Sequence, residues 1–305
     1  QYTHFPSVRF KPLSHLSLYS NLTIYYIKIY MKIYDCITYC GEDLLLNVRF
    51  ETLNNEVDKF IIIEGNRYFN GDKKSKFFDL KKFKKFEKKI EYYYIEDFPK
   101  HNGDNYEYEH YQRNQIIKGF SGLEPNDIVL LSDADEIPNL KNKKFLDFDS
   151  TVFLQNMYYY KFNIHFYKGL KWSNKSAGTR SCKFKFFETG EQMRRYRVKN
   201  IPWWRFDRKI KRHVEFDGGW HFAFLMDAKD INQKLKRFNH EIAHLHKNKK
   251  YDTSNLLDLT NIQKRITEFK DPYNRDDVKL KKVEIDNTFP KYILENINKL
   301  SNYIV

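Results

Sequence analysis

Cysteine is scarce in this chain: three in 305 residues, Cys36, Cys40 and Cys182, with no Cys-x-x-Cys. That excludes a disulfide framework and fits a reducing compartment with free, mostly buried thiols. Long apolar runs are missing too. No stretch reaches the roughly 18 uninterrupted apolar residues of a membrane span. Leu22 to Tyr39 comes nearest and is broken by Lys28, Lys32 and Asp35. A cleavable signal with a basic start, apolar middle and small-residue site is also lacking. No internal repeat or low-complexity linker divides the chain.

What is there points to a large aromatic core. Hydrophobic residues make up 41%, with 23 Tyr and 26 Phe, which excludes a disordered composition. Net charge is +14. That balance suits anionic partners such as nucleotide phosphates, an acidic glycan, a membrane surface or nucleic acid. The charge is spread, apart from the lysine-rich stretch between Lys73 and Lys89. Met31 opens a stretch that reads like a fresh domain start. Residues 1–30 are therefore expected to be an N-terminal extension outside the fold, and 31–305 a single domain.

Strands are expected at Ile33–Tyr39, Asp58–Glu64, Ile90–Ile95 and from Asp127. Helices are expected at Glu42–Leu53 and Tyr106–Phe120. On the first, Leu45, Val48, Phe50 and Leu53 share the buried face, with Arg49 and Glu51 pointing elsewhere. On the second, the face includes Tyr111, Ile116 and Ile117. Lys81–Lys89 reads as a solvated helix or loop. Strands alternating with helices imply βαβ units and a Rossmann-like, mainly parallel central sheet flanked by helices. The second half is aromatic and extended. Lys183–Phe187 alternates like a half-buried strand, and Asp227 to His246 is an amphipathic helix with Ile231, Leu235, Phe238 and Ile242 on its apolar face.

The most informative stretch is Asp127-Ile128-Val129-Leu130-Leu131-Ser132-Asp133-Ala134-Asp135-Glu136-Ile137-Pro138. An apolar run reads as a strand buried on both faces, and Pro138 ends it. The carboxylates then sit at the strand's carboxyl end, where open α/β sheets bind ligands. Asp133 and Asp135 face the same way in extended backbone. Mg²⁺ or Mn²⁺ carrying substrate phosphates would relieve their repulsion. Glu64 closes its own strand and is expected to line the same cleft, on a ribose or sugar hydroxyl. Gly218-Gly219-Trp220-His221 combines close backbone approach, an aromatic wall and an imidazole. His240-Glu241-Ile242-Ala243-His244 fits the letters of a zinc-hydrolase motif, with two His ligands and Glu241 as base.

These motifs occur in a serial order that resembles glycosyltransferase family 17. The residues that carry it are Asp58 to Glu64, Gly71 with Lys73 or Lys74, Gln112-Arg113-Asn114, Ser132 to Pro138, Tyr158-Tyr159-Tyr160, Gly218 to Phe222 and Phe238-Asn239-His240-Glu241. The likeness runs from about Lys32 to Tyr292. A known eukaryotic member adds the bisecting N-acetylglucosamine to N-glycans. The resemblance implies a GT-A type fold, a donor such as UDP-N-acetylglucosamine, a divalent metal (Mn²⁺ or Mg²⁺) and inversion at the anomeric carbon. Gly41-Glu42 departs from the family's usual Asn-Glu, and Asn239 from a common Ser. The eukaryotic membrane anchor is missing, so the expected enzyme is cytoplasmic or peripheral at the membrane, acting on a glycan or glycoconjugate acceptor. Nucleic acid is not an expected partner.

In this reading Asp135 holds the metal. Asp133 takes the ribose or the metal's water shell, and His221 or His240 adds a ligand. Asp217 or Glu241 serves as the base. Arg113 and Lys73 pair with phosphate or carboxylates, and Gly218, Gly219 and Trp220 contact the sugar nucleotide. Two readings compete with it: the zinc hydrolase on His240, Glu241 and His244, and a basic nucleic-acid-binding module on the lysines of 73–89.

Overall fold

The computed structural model describes residues 31–100, 106–168, 175–196, 210–237 and 255–305. Except for Met31, they belong to one compact unit, Lys32–Val305. The first half alternates as expected. It runs β1 (Ile33–Thr38), α1 (Asp43–Leu53), β2 (Lys59–Gly65), β3 (Ile90–Ile95), α2 (Glu107–Asn114) and β4 (Ile128–Asp133). Then come β5 (Glu136–Pro138), β6 (Ser150–Tyr159), β7 (Ile164–Lys168), β8 (Lys175–Lys183), α3 (Gly190–Arg194), β9 (Arg212–Glu215) and β10 (Gly219–Ala223). The chain closes with α4 (Ala228–Arg237), α5 (Leu259–Thr267), β11 (Lys279–Lys282) and α6 (Lys291–Glu295).

All the described strands join one sheet, with its main path in the order β11-β7-β6-β8-β4-β1-β2-β3. The edge β3-β2-β1-β4 is wholly parallel: β1, β2 and β4 are buried along both faces, while β3 at the sheet's end is half-buried. Beyond β4 the sheet is mixed. β8 runs antiparallel to both β4 and β6, while β9 and β10 run parallel to β6. This is a Rossmann-like α/β sheet flanked by helices. One face of the parallel edge buries Tyr34, Cys36, Ile61, Ile63, Val129 and Leu131 in a common core. No described helix is long and apolar enough to cross a membrane.

Four local expectations need correction. The 106–120 helix is α-helical only to Asn114 and continues as a 3-10 turn, Gln115–Gly119, which leaves Ile117 58% exposed. Phe184–Phe186 forms a 3-10 turn rather than extending β8. Leu80–Lys89 is a 3-10 run whose lysines are solvated as expected, but two of its side chains, Phe83 and Phe86, are buried. Its Phe83 and Phe86 pack edge-on or tilted against Phe50 of α1. Its Lys82 and Lys85 pair with Asp43 and Glu51 of the same helix. The fourth concerns Arg49, which points inward and is fully buried. It forks onto Asp35 of β1 at 2.6 and 2.7 Å and donates to Ser132 Oγ and the Glu136 carbonyl. Helical spacing alone cannot show that a charged residue on the inward face meets a charged residue in mid-strand.

Candidate functional site

β1 has β2 on one side and β4 on the other, and α1 leaves β1 toward β2. The carboxyl ends of β1 and β4 therefore flank a topological switch point, the crevice where open α/β sheets take ligands. A cleft of about 640 Å³ opens there. Thr38, Tyr39 and Cys40 line it from the end of β1, and Asp133 to Glu136 from the end of β4. Register puts Thr38 opposite Asp133, and the Thr38 hydroxyl donates to Asp133 Oδ1 at 2.9 Å.

Two arginines converge on Asp133. Arg194 Nη2 donates to Oδ2 at 2.8 Å, and Arg113 Nη2 lies 3.5 Å from Oδ1. Arg194 also grips both oxygens of the buried Glu136, at 2.5 and 2.6 Å. Burial alone would raise the Asp133 carboxyl, but the Arg194 and Arg113 charges overcome it and hold it well below the usual carboxylate range. α3 delivers Arg194 because Thr189 caps the helix and Gly190 lets it approach α2. A Cβ at Gly190 would lie 2.5 Å from the Arg113 carbonyl oxygen.

Asp135 faces different partners. Its oxygens lie 3.6 Å from His221 Nε2 and 3.7 Å from Lys234 Nζ, too far for good hydrogen bonds. Burial works to raise its carboxyl, yet His221 and Lys234 leave it lowered. Burial likewise works to lower His221, but the Asp135 charge leaves it raised. His221 Nδ1 is buried with no hydrogen-bond partner among the described residues.

Among the described residues no three His, Cys, Asp or Glu side chains are arranged to hold a metal. Mg²⁺ in nucleotide sites takes one or two protein ligands and completes its shell with phosphate oxygens and water. Asp135 and His221, side by side across a gap, fit that smaller share. Asp133 does not fit, because both its oxygens are committed to Thr38 and the arginines.

The other expected site residues separate. Arg113 and His221 join Asp133 and Asp135 in the cleft. Glu64 does not reach it. It is fully buried, paired with Lys74 at 2.5 Å, and accepts from the Phe77 and Phe78 amides and the Tyr92 hydroxyl. It is an internal anchor, not a hydroxyl ligand, and Lys74 takes the role expected of exposed Lys73. Trp220 is core, donating to the Thr288 carbonyl at 3.0 Å, because strand alternation turns it away from His221's side. Gly218 and Gly219 serve the protein's own packing. A Cβ would meet Leu154 N at 2.5 Å from Gly218 and the Ile137 carbonyl oxygen at 2.2 Å from Gly219, whose φ is +118°. Asp217 is exposed near Asn139, beside the end of β5, four residues along the chain from His221. His240, Glu241 and His244 lie outside the described residues.

Sequence reasoning missed Arg194, Lys234 and Glu42 as cleft residues. For Arg194 no sequence signal exists, since it meets Asp133 from 61 residues away. Glu42 had a signal: a carboxylate just past the end of β1, at the switch point.

A larger cavity of about 870 Å³ adjoins the cleft and shares Cys40, Glu42, Phe69, Gln112 and Lys234 with it. Arg67, Tyr68 and Phe77 of the loop after β2 help to line its wall.

A family model described as glycosyltransferase family 17 matches residues 17–275. No curated protein matches the chain. Among solved structures, the chain is similar to one from Bacillus anthracis described as a glucose-1-phosphate thymidylyltransferase in complex with a sucrose. The identity is 14%, the coverage 62% of this chain and 87% of that one, and the TM-score 0.33.

Proposed function

The chain belongs to glycosyltransferase family 17, and we propose that its cleft binds a UDP-sugar, UDP-N-acetylglucosamine first among them, and transfers the sugar with inversion to a glycan hydroxyl. One observation carries this reading: Asp135 and His221 stand side by side at the switch point, within a cleft also lined by Arg113, Arg194 and Lys234. A nucleoside diphosphate leaves with negative charge, and fixed cations aimed at that charge lower the barrier. Arg113 Nε is buried with no partner among the described residues, a donor in reserve for a phosphate oxygen. Lys234 brings a second positive charge beside Asp135. Asp133 acts one step back: it holds Arg113 and Arg194 in place, so their planes do not have to reorganise when the donor arrives. Asp135 and His221 would hold Mn²⁺ or Mg²⁺. Such an ion, when bound, supplies Lewis-acid neutralisation of the diphosphate.

Neither competing reading is favoured. The lysines of the 3-10 run brace α1 and its end: Lys82 and Lys85 through ion pairs, Lys89 through the Asn54 and Val57 carbonyls. The zinc motif is displaced by the family assignment.

Thermal melting with UDP tests the proposal, because a ligand that binds only the native state raises the melting temperature. UDP with Mn²⁺ should raise it by several degrees, and UDP in excess chelator by much less. Equal shifts would overturn the metal part of the reading. No shift with any nucleoside diphosphate would overturn the donor.

A further inference from the structure

The transfer needs a base, and the cleft holds several carboxylates. Most are committed. Asp133 faces two guanidiniums, Glu136 gives both oxygens to Arg194, and Glu109 is paired with Arg113. Asp135 is flanked by His221 and Lys234. Glu42 differs. Its Oε2 accepts from the Cys40 amide at 2.8 Å, and it forms no ion pair among the described residues. It is also the one carboxylate among the residues that line both the cleft and the larger cavity.

We propose that Glu42 is the catalytic base, at the seam where a donor in the cleft meets an acceptor in the larger cavity. The inference rests on the transferase reading above. The acceptor's O–H proton passes to Glu42 Oε1. The acceptor oxygen bonds to the anomeric carbon as the sugar–phosphate C–O bond breaks, and that electron pair leaves on the diphosphate oxygen. Glu42, now neutral, returns its proton to water.

Two further features support the assignment. The Cys40 amide holds the carboxylate by Oε2, on a residue that lines both the cleft and the larger cavity. Burial raises the Glu42 carboxyl above its ordinary value, and Asp135 adds to this, against the lowering by Lys234 and the Cys40 amide. A carboxylate so raised takes a proton more readily. The larger cavity suits a sugar. Tyr68 and Phe77 offer rings for stacking, and Asp227, Asp230 and Gln233 offer hydroxyl partners.

Glu42→Gln keeps the shape and the acceptor for the Cys40 amide. Turnover of UDP-N-acetylglucosamine, to water and to simple methyl glycosides, should fall at least about a hundredfold, the span of general-base catalysis. The Kd for UDP should stay within about threefold of the parent's. Turnover close to the parent's would overturn the inference. So would a loss of UDP affinity that matches the loss of turnover, which would make Glu42 a nucleotide ligand. If the Gln variant fails to fold, Glu42→Asp replaces it. A retreated base predicts turnover slowed about tenfold or more with unchanged UDP affinity, and an unslowed Asp variant overturns the proposal. A parent protein that neither binds UDP nor turns over the sugar nucleotide would instead sink the transferase reading itself.

Discussion

Two aspartates two residues apart do different work in this cleft. Asp135 faces an imidazole and an ammonium at 3.6 and 3.7 Å, just beyond good hydrogen-bond distance. Asp135→Asn keeps the shape and removes the charge that a hard cation prefers. Turnover is expected to drop at least about a hundredfold, since several kcal/mol of charge stabilisation are at stake and each roughly 1.4 kcal/mol is tenfold. The variant should also melt slightly lower, because His221 and Lys234 lose their counter-charge. Near-parental turnover with a normal metal requirement would refute the assignment. Asp133 should instead be read through acid stability. Its carboxyl is held below the ordinary value by Arg194 and Arg113, which overcome the effect of burial. The folded chain keeps it ionised where the unfolded chain would protonate it. Its contribution is therefore whole above about pH 4, the unfolded value, and is lost as pH falls below that toward the depressed folded value. Asp133→Asn should flatten the fall in melting temperature between pH 7 and about pH 3. An unchanged slope would mean that the arginines add nothing to stability through this carboxylate.

At the level of elements, one side chain ties three strands. Arg49 of α1 binds Asp35 in β1, Ser132 in β4 and the Glu136 carbonyl in β5. It thereby sets the turn that carries Asp133 and Asp135. Arg49→Met would leave Asp35 buried, charged and alone, a change that costs about 3–5 kcal/mol. Urea unfolding measures it, and a loss under about 1 kcal/mol would show the brace to be dispensable. Adding Asp35→Asn should restore part of the loss. The elements themselves were legible in the sequence. β1, β2, β3 and β4 are short apolar runs, and such runs leave a local trace when a strand is buried on both faces. Helices α1 and α2 showed in their spacing. What joins the elements was not legible. Arg49 with Asp35, Arg194 with Asp133 and Lys74 with Glu64 are ion pairs made by tertiary approach, and no periodicity encodes them. The same limit explains Trp220, Gly218 and Gly219. Aromatic and glycine residues beside a site look alike in sequence whether they touch a ligand or a neighbouring strand.

Across the whole unit, positive charge is used in two ways. The chain has 54 Lys and Arg against 40 Asp and Glu. Part of the surplus converges on the cleft through Arg113, Arg194 and Lys234. Another part is structural, in the lysines of the 3-10 run that clamp α1. That the Asp-x-Asp turn would lie at the mouth of a cleft was legible, because an apolar buried strand that ends in carboxylates places them at its carboxyl end. Its surroundings were not, since the walls come from α2, α3, β10 and α4, distant in sequence. The anchoring of Glu64 has a consequence of its own. This carboxylate holds Lys74 and the Phe77 and Phe78 amides, and so pins the far end of the loop that follows β2. The near end is pinned by Asn66, whose amide bonds to the Ile95 carbonyl. Between those two clips, residues 67–73 form a cassette on the wall of the larger cavity. Because both clips lie outside the cassette, a change of length or sequence at its tip is expected to reshape the cavity wall while leaving the strand ends that carry Asp135 and Glu42 where they are.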